Sequence, residues 1–294
     1  MPLDQLAAQN LATTTKTVPM GEGITPRWLL KLLPWVQVKS GMYRINRVTT
    51  PARVTAEHAA GTELPATFVD YEVKPTEITL STVQTVVQIH TRIPDLHSHP
   101  HDQLHEQLRL TIEAIKEEKE RRLINSAEFG LLRVAAPHMR LPTIAGPPTP
   151  DDLDNLLALV WKMPAYFVAH PRAIAAFGHE CNTRGIPLEA VELLGVPFAA
   201  WRGVPLLPCD KLPISKPDKA KEGTTSILLM RVGEQEQGVV GLHQEGIGDE
   251  HLQSLAVRFM GIDQNAVASY VVTCYFSVAV LVDDALGVLE RVRI

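Results

Sequence analysis

Near the start of the chain, a run of large apolar side chains follows a polar lead, with little polypeptide before it to pack on. Trp28, Leu29, Leu30, Leu32, Leu33, Trp35 and Val36 come just after Pro26, behind a stretch that contains Thr13, Thr14 and Thr15. Fully burying each such side chain is worth roughly 1.5–3 kcal/mol. The segment must therefore dock on later chain or on a neighbouring subunit, so residues 1–40 read as an arm and not as an independent domain. With 294 residues, 45% of them hydrophobic, the chain can supply one sizeable core or two modest ones to receive it.

Residues 42–48 and 67–73 alternate in period two, and residues 79–93 are rich in Thr, Val and Ile, so all three stretches predict strands. The polar stretch 49–65 between the first two reads as a long hairpin projecting from a body. Residues 102–125 predict the clearest helix. Leu104, Leu108, Ile112 and Ile115 form one apolar stripe, and Glu117/Arg121 and Glu118/Arg122 are spaced to pair at i,i+4. At about 1.5 Å per residue such a helix runs about 35 Å, a spine for its domain. Its mixed charge run, 116–122, reads as a solvated face.

A proline-rich connection, 137–150, marks a boundary. Beyond it Thr149 is a candidate N-cap, with Pro150 at the first helical position and Asp151 and Asp152 in the first turn. Leu153, Leu156, Leu157, Val160 and Trp161 make that helix's apolar face. A buried strand at 165–169 and a helix from Pro171 to a stop at Gly185 follow. Strands are expected at 197–201, 204–207, 226–232, 238–242, 255–261 and 268–282, with a lysine-rich exposed loop at 215–223. The order is an α/β unit and then a return to β.

Charge and cysteine usage exclude several classes. The net charge is -5, with 28 basic against 33 acidic residues, and no basic stripe of the kind that binds nucleic acid. Cys181, Cys209 and Cys274 are far apart and odd in number, which is neither a disulfide framework nor a thiolate metal site and points to a reducing cytoplasm. The most apolar run, 267–282, falls short of the roughly 20 residues a membrane span needs and is interrupted by Ser269, Thr273 and Ser277.

Candidate chemistry is sparse. His97, His99, His101 and His105 cluster, and His101 and His105 would share a helix face on which a metal could be held. Pro100 separates the first two from the helix, and no HExxH accompanies them, so no metal ligand is assigned. His179 and Cys181, two residues apart, point to different helix faces and cannot act as base and nucleophile. His170 is equally isolated. No GxSxG, Walker loop or GxGxxG is present, the glycine-punctuated stretch 241–248 reads as a turn, and Asp283–Asp284 reads as a solvated turn. No catalytic residue and no cofactor site is nominated.

The segment order, with the phrases LATTTKTVP (11–19), ITPRWLLKLLPWV (24–36), YRINRV (43–48), PTPDDLDNLL (148–157), FVAHPRAIAAFG (167–178), WRGVPLLPCDKLP (201–213), GVVGL (238–242), VRFMGI (257–262) and VAVLVDDAL (278–286), resembles family 2A encapsulin shell proteins along nearly the whole chain. That resemblance implies an α+β, Hong Kong 97-like phage capsid fold. Its parts would be an N-terminal arm (1–40), an E-loop with flanking strands (41–93), a P-domain with the spine helix (94–145), an A-domain (146–252) and closing P-domain strands (253–294). It also implies self-assembly into an icosahedral shell with narrow pores. The enclosed cargo enzyme would be a cysteine desulfurase, and its pyridoxal phosphate would belong to the cargo and not to this chain. The run from Tyr43 through Phe68 to the spine leaves no room for the cyclic-nucleotide-binding insertion of the other family 2 subtype.

On this resemblance the turn Asn182, Thr183, Arg184 and Gly185 is the pore-lining candidate, with Arg184 either favouring anions or paired with Glu189. Trp28, Leu29, Leu32 and Trp35 are the arm's candidate inter-subunit contacts. A phage or prophage capsid protein, the same shell with a different cargo, and a small metalloenzyme using His101 and His105 are the alternatives.

Overall fold

The structure, a computed structural model, describes residues 24–54, 66–90, 103–144, 146–215, 223–244, 250–252 and 254–294. A one-and-a-half-turn helix α1 (Trp28–Leu32) opens it, followed by β1 (Trp35–Val38), β2 (Met42–Ile45), β3 (Thr76–Thr79) and β4 (Ser81–His90). The long helix α2 (Gln103–Asn125) leads to a single turn α3 (Leu131–Val134) and β5 (Arg140–Pro142). Then come α4 (Pro150–Leu159), β6 (Tyr166–Ala169), α5 (Pro171–Thr183), β7 (Glu189–Leu193), β8 (Val196–Trp201) and β9 (Val204–Pro208). The chain continues with β10 (Thr224–Met230), β11 (Val239–Gln244), β12 (Glu250–Leu252), β13 (Leu255–Ile262), β14 (Val267–Val280) and β15 (Leu286–Arg293).

These strands build two main sheets. One has β14 at its centre, in the order β1-β11-β14-β13-β12, with β4 along the other edge of β14 over ten residue pairs. The other runs β5-β15-β10-β6-β9-β8-β7. β2 and β3 pair separately as the root of the projecting hairpin.

Every residue of β6 is buried, because this strand faces a core on both sides. Tyr166 and Val168 point into the cluster that includes Leu123 and Ile124 of α2 and Phe276 of β14. Phe167 and Ala169 point into the cluster formed by Leu153 and Leu156 of α4 and Phe177 of α5. Alternation of side chains across a strand thus ties the two cores through one sheet.

Local chemistry explains the helix limits. Thr149 Oγ1 accepts from the Asp152 amide at 3.2 Å, and the Asp152 carboxylate accepts from the Thr149 amide at 2.9 Å, a reciprocal capping box with Pro150 behind it. At the start of α5 the His170 ring Nδ1 accepts from the Arg172 amide at 3.1 Å, so this imidazole is a cap and not merely a surface group. Gly185 ends that turn with a φ of 69°, a conformation glycine adopts without strain.

Several sequence expectations change. The charge run on α2 is not a solvated face, because Glu120 is 1% and Lys119 9% exposed. Glu118 pairs with Arg122 as spaced and also with Arg121, whereas Glu117 turns to Arg27 and Lys211. Residues 67–73 do not form a strand. They make a single antiparallel bridge, Val48 to Tyr71, flanked by the bonds from the Thr49 amide to the Asp70 carbonyl, 2.8 Å, and from the Glu72 amide to the Arg47 carbonyl, 2.9 Å. Gly241 through Gln244 belong to a buried strand and not a turn. Strands β1, β5, β7, β12 and β15 were not expected.

Gly241 has a specific task. β1 lies parallel to β11 with Trp35 opposite Gly241, and a Cβ there would fall 2.7 Å from the Trp35 ring. Gly241→Ala is expected to push the ring and β1 outward, at a cost of about 1–3 kcal/mol, read as a lower urea midpoint.

Candidate functional site

Among the described residues no catalytic constellation assembles. All three cysteines are buried and free, and burial pushes their thiols up, Cys209 to about 12. Among the described residues no group of three or more His, Cys, Asp or Glu could hold a metal. His105 is exposed, and His97, His99 and His101 lie outside the described residues. Among the described residues no helix is long and apolar enough to cross a membrane. The functional features are surfaces.

The arm is latched onto its own subunit. The Thr25 amide and hydroxyl both donate to Glu117, at 2.9 and 2.8 Å. Arg27 reaches Glu113 at 2.6 Å, and Lys211 closes the other side of Glu117 at 2.8 Å. The Leu29 amide donates to Glu120 Oε1 at 3.2 Å, which satisfies one of the amides that a helix start leaves over. Trp28 meets Phe198 edge-on with ring centres 4.9 Å apart. Of the four arm residues proposed for inter-subunit contact, Leu29 is 1% exposed and spent inside its own subunit. Trp28, Leu32 and Trp35 stay half-buried. The signal for the latch lay in the acidic spacing Glu113, Glu117, Glu120, which puts three carboxylates on one face of α2.

Burial raises the Glu120 carboxyl from 4.5 to about 7, opposed by Lys211 and the Leu29 amide and reinforced by Glu117 and Asp210. A carboxyl raised in the folded state stabilises most below its unfolded value, and that contribution is lost as pH rises through about 7. The chain is expected to be more stable at pH 5.5 than at pH 8, by on the order of 2 kcal/mol from this group. Glu120→Gln, which keeps an acceptor for the Leu29 amide, should flatten that dependence in thermal melts.

The projecting hairpin is the opposite case. Val48, Val54, Phe68, Val69, Tyr71 and Val73 are all exposed, Phe68 at 83% and Val73 at 97%. A second apolar group sits at the β13 end, where Phe259, Met260 and Ile262 are 57–62% exposed and the Phe259 ring meets that of Tyr270 at 5.2 Å. Patches of this kind mark contact with another surface.

The turn 182–185 is exposed throughout. Arg184 is not paired with Glu189. It bonds Asp151 at 2.9 Å and Glu180 at 2.8 Å, and so carries two carboxylates on the same exposed corner. At the hairpin root Asp283 holds Arg47 at 3.2 Å, and Asp284 holds Lys162 and the buried Arg231, each at 2.6 Å. The acidic pair is therefore a structural anchor and not a solvated turn.

Comparison with known proteins identifies the family. Residues 44–294 match the family described as SrpI-like, type 2A encapsulin shell protein. A type 2A encapsulin shell protein of Mycobacterium leprae is 55% identical over 99% of this chain and 94% of its own length. The type 2A encapsulin shell protein SrpI of Synechococcus elongatus is 54% identical, covering 100% of this chain and 95% of its own. The cryo-EM structure of the holo-SrpI encapsulin complex from that organism superposes with a TM-score of 0.84 at 53% identity, over 99% of this chain and 96% of that one. A GTA particle capsid, with a TM-score of 0.63 at 13% identity over 95% and 94% of the two chains, shares the Hong Kong 97-like fold alone. With so high an identity along its whole length, the chain belongs to the type 2A encapsulin shell proteins, a family of structural shell subunits and not of enzymes.

Proposed function

We propose that the chain closes into an icosahedral shell in the cytoplasm and encloses a cysteine desulfurase, which brings its own pyridoxal phosphate. The observation that carries the reading is the superposition, at 53% identity, on an encapsulin complex described as holo. The exposed apolar hairpin supports it physically, because its six apolar side chains need a neighbour to cover them. Three buried free cysteines suit a reducing compartment. The five-part division at residues 40, 93, 145 and 252 belongs to this reading, as do Trp28, Leu32 and Trp35 as arm residues with faces left for a neighbour.

Co-expression with a cysteine desulfurase tests it. Negative-stain microscopy should show round, uniform shells, and the desulfurase should co-sediment with them and bring the pyridoxal phosphate absorbance. Shells that leave the desulfurase in the supernatant would remove the cargo assignment, and a monomer would remove the shell.

In the same reading the turn Asn182, Thr183, Arg184 and Gly185 lines a pore, where a ring of Arg184 side chains would favour anions. Arg184→Glu would place a third carboxylate beside Asp151 and Glu180. Entry of a small anionic quencher to an enclosed fluorophore is expected to slow several-fold, while a neutral quencher of similar size enters as before. Equal slowing of both, or of neither, would move the pore elsewhere.

A further inference from the structure

Where α1 and β1 lie against α2, a cavity of about 360 Å³ opens. Arg27, Lys31, Lys116 and Lys119 stand on its walls, and among the described residues no carboxylate lines it. Glu113, outside the lining, pairs with both Arg27 at 2.6 Å and Lys116 at 2.9 Å. The other two ammonium groups are held on ring faces. Lys31 lies 4.6 Å from the Trp28 ring, and Lys119 lies 3.8 Å from the Trp35 ring and 5.4 Å from that of Phe276. Among the described residues neither ammonium has a carboxylate partner.

Lys119 is the informative one. It is 9% exposed, and an ammonium taken so far out of water normally requires a paired anion. Ring faces compensate only part of that loss. Burial accordingly holds its pKa below the usual lysine range. The rest of the cavity is apolar, with Leu30, Trp35, Ile115 and Leu255 against the opening. A bare inorganic anion would leave that floor uncovered, and a neutral apolar molecule would leave the two ammonium groups unmatched.

We propose that this cavity binds a small organic anion, a carboxylate, sulfonate or phosphate ester on a compact apolar body, with its charge against Lys119 and Lys31 and its body against Trp35 and Leu255. The volume is at the small end of the range for ligand sites, about 300–1,000 Å³. The site lies within one subunit and is independent of which cargo the shell encloses.

Isothermal titration of the purified, assembled protein with naphthalene-1-sulfonate tests it, with sodium sulfate and the neutral naphthalene-1-methanol as comparisons. One saturable site per subunit is expected, with both comparison compounds at least about tenfold weaker, as loss of either half of the recognition implies. Lys119→Met should weaken the sulfonate at least about tenfold. Lys31→Gln, at an exposed position that leaves the fold intact, should weaken it several-fold. Absence of saturable binding, equal binding of the neutral compound, or full binding by Lys31→Gln and Lys119→Met would each overturn the proposal.

Discussion

Phe68→Asp is expected to abolish shell closure while leaving the subunit as stable as before. Phe68 is 83% exposed, so its removal takes nothing from the core of its own chain. It stands on a hairpin with five other exposed apolar side chains, among them Val54 at 87% and Val73 at 97%. Aromatic residues in such patches are the usual energetic anchors, and truncating one typically costs about 2–4 kcal/mol per interface. A carboxylate there adds the cost of desolvating a charge, and symmetry repeats the loss at every equivalent contact. Light scattering should find subunits or small oligomers with an unchanged circular dichroism melt. Closed shells from the double variant Phe68→Asp with Val73→Asp would show that the hairpin does not seal the assembly.

The largest effect on the subunit itself is expected from Asp284→Ala. The Arg231 guanidinium is 2% exposed and bonds Asp284 at 2.6 Å, with the Gln237 carbonyl at 3.4 Å as its other acceptor. Its Nε and Nη1 find no partner among the described residues. Removing Asp284 strands a buried cation, a loss of about 3–5 kcal/mol for a buried pair, at the lower end here because Asp284 itself is 31% exposed. Arg231→Met in the same chain should recover most of the loss, because a buried pair replaced by an apolar side chain is often close to neutral. Urea unfolding of the two single variants and the double closes the cycle. A double variant no more stable than Asp284→Ala would mean that the aspartate acts elsewhere, through Lys162 or the turn.

Much of this was legible in order and pattern. α2 spans Gln103–Asn125 against an expected 102–125, because an apolar stripe at helical spacing has one stable answer. The Thr149 cap and the Gly185 stop were readable because capping is local chemistry. β15 was not read, because Asp283 and Asp284 looked like the end of the β region. β7, with Glu189 and Glu192 in five residues, has the polar surface of an edge strand and carries little hydrophobic signal.

At the arm, Trp28, Leu29, Leu33 and Trp35 by themselves determined that the segment must be buried. The same residues were equally consistent with burial on a neighbour. Only the tertiary structure placed residues 25–29 on α2, by bringing Glu113, Glu117, Glu120 and Lys211 around them. Hydrophobic demand is a property of composition and is written in the chain. The direction in which a charge turns depends on what lies across from it, and here residues 86 to 186 positions apart meet at one helix face.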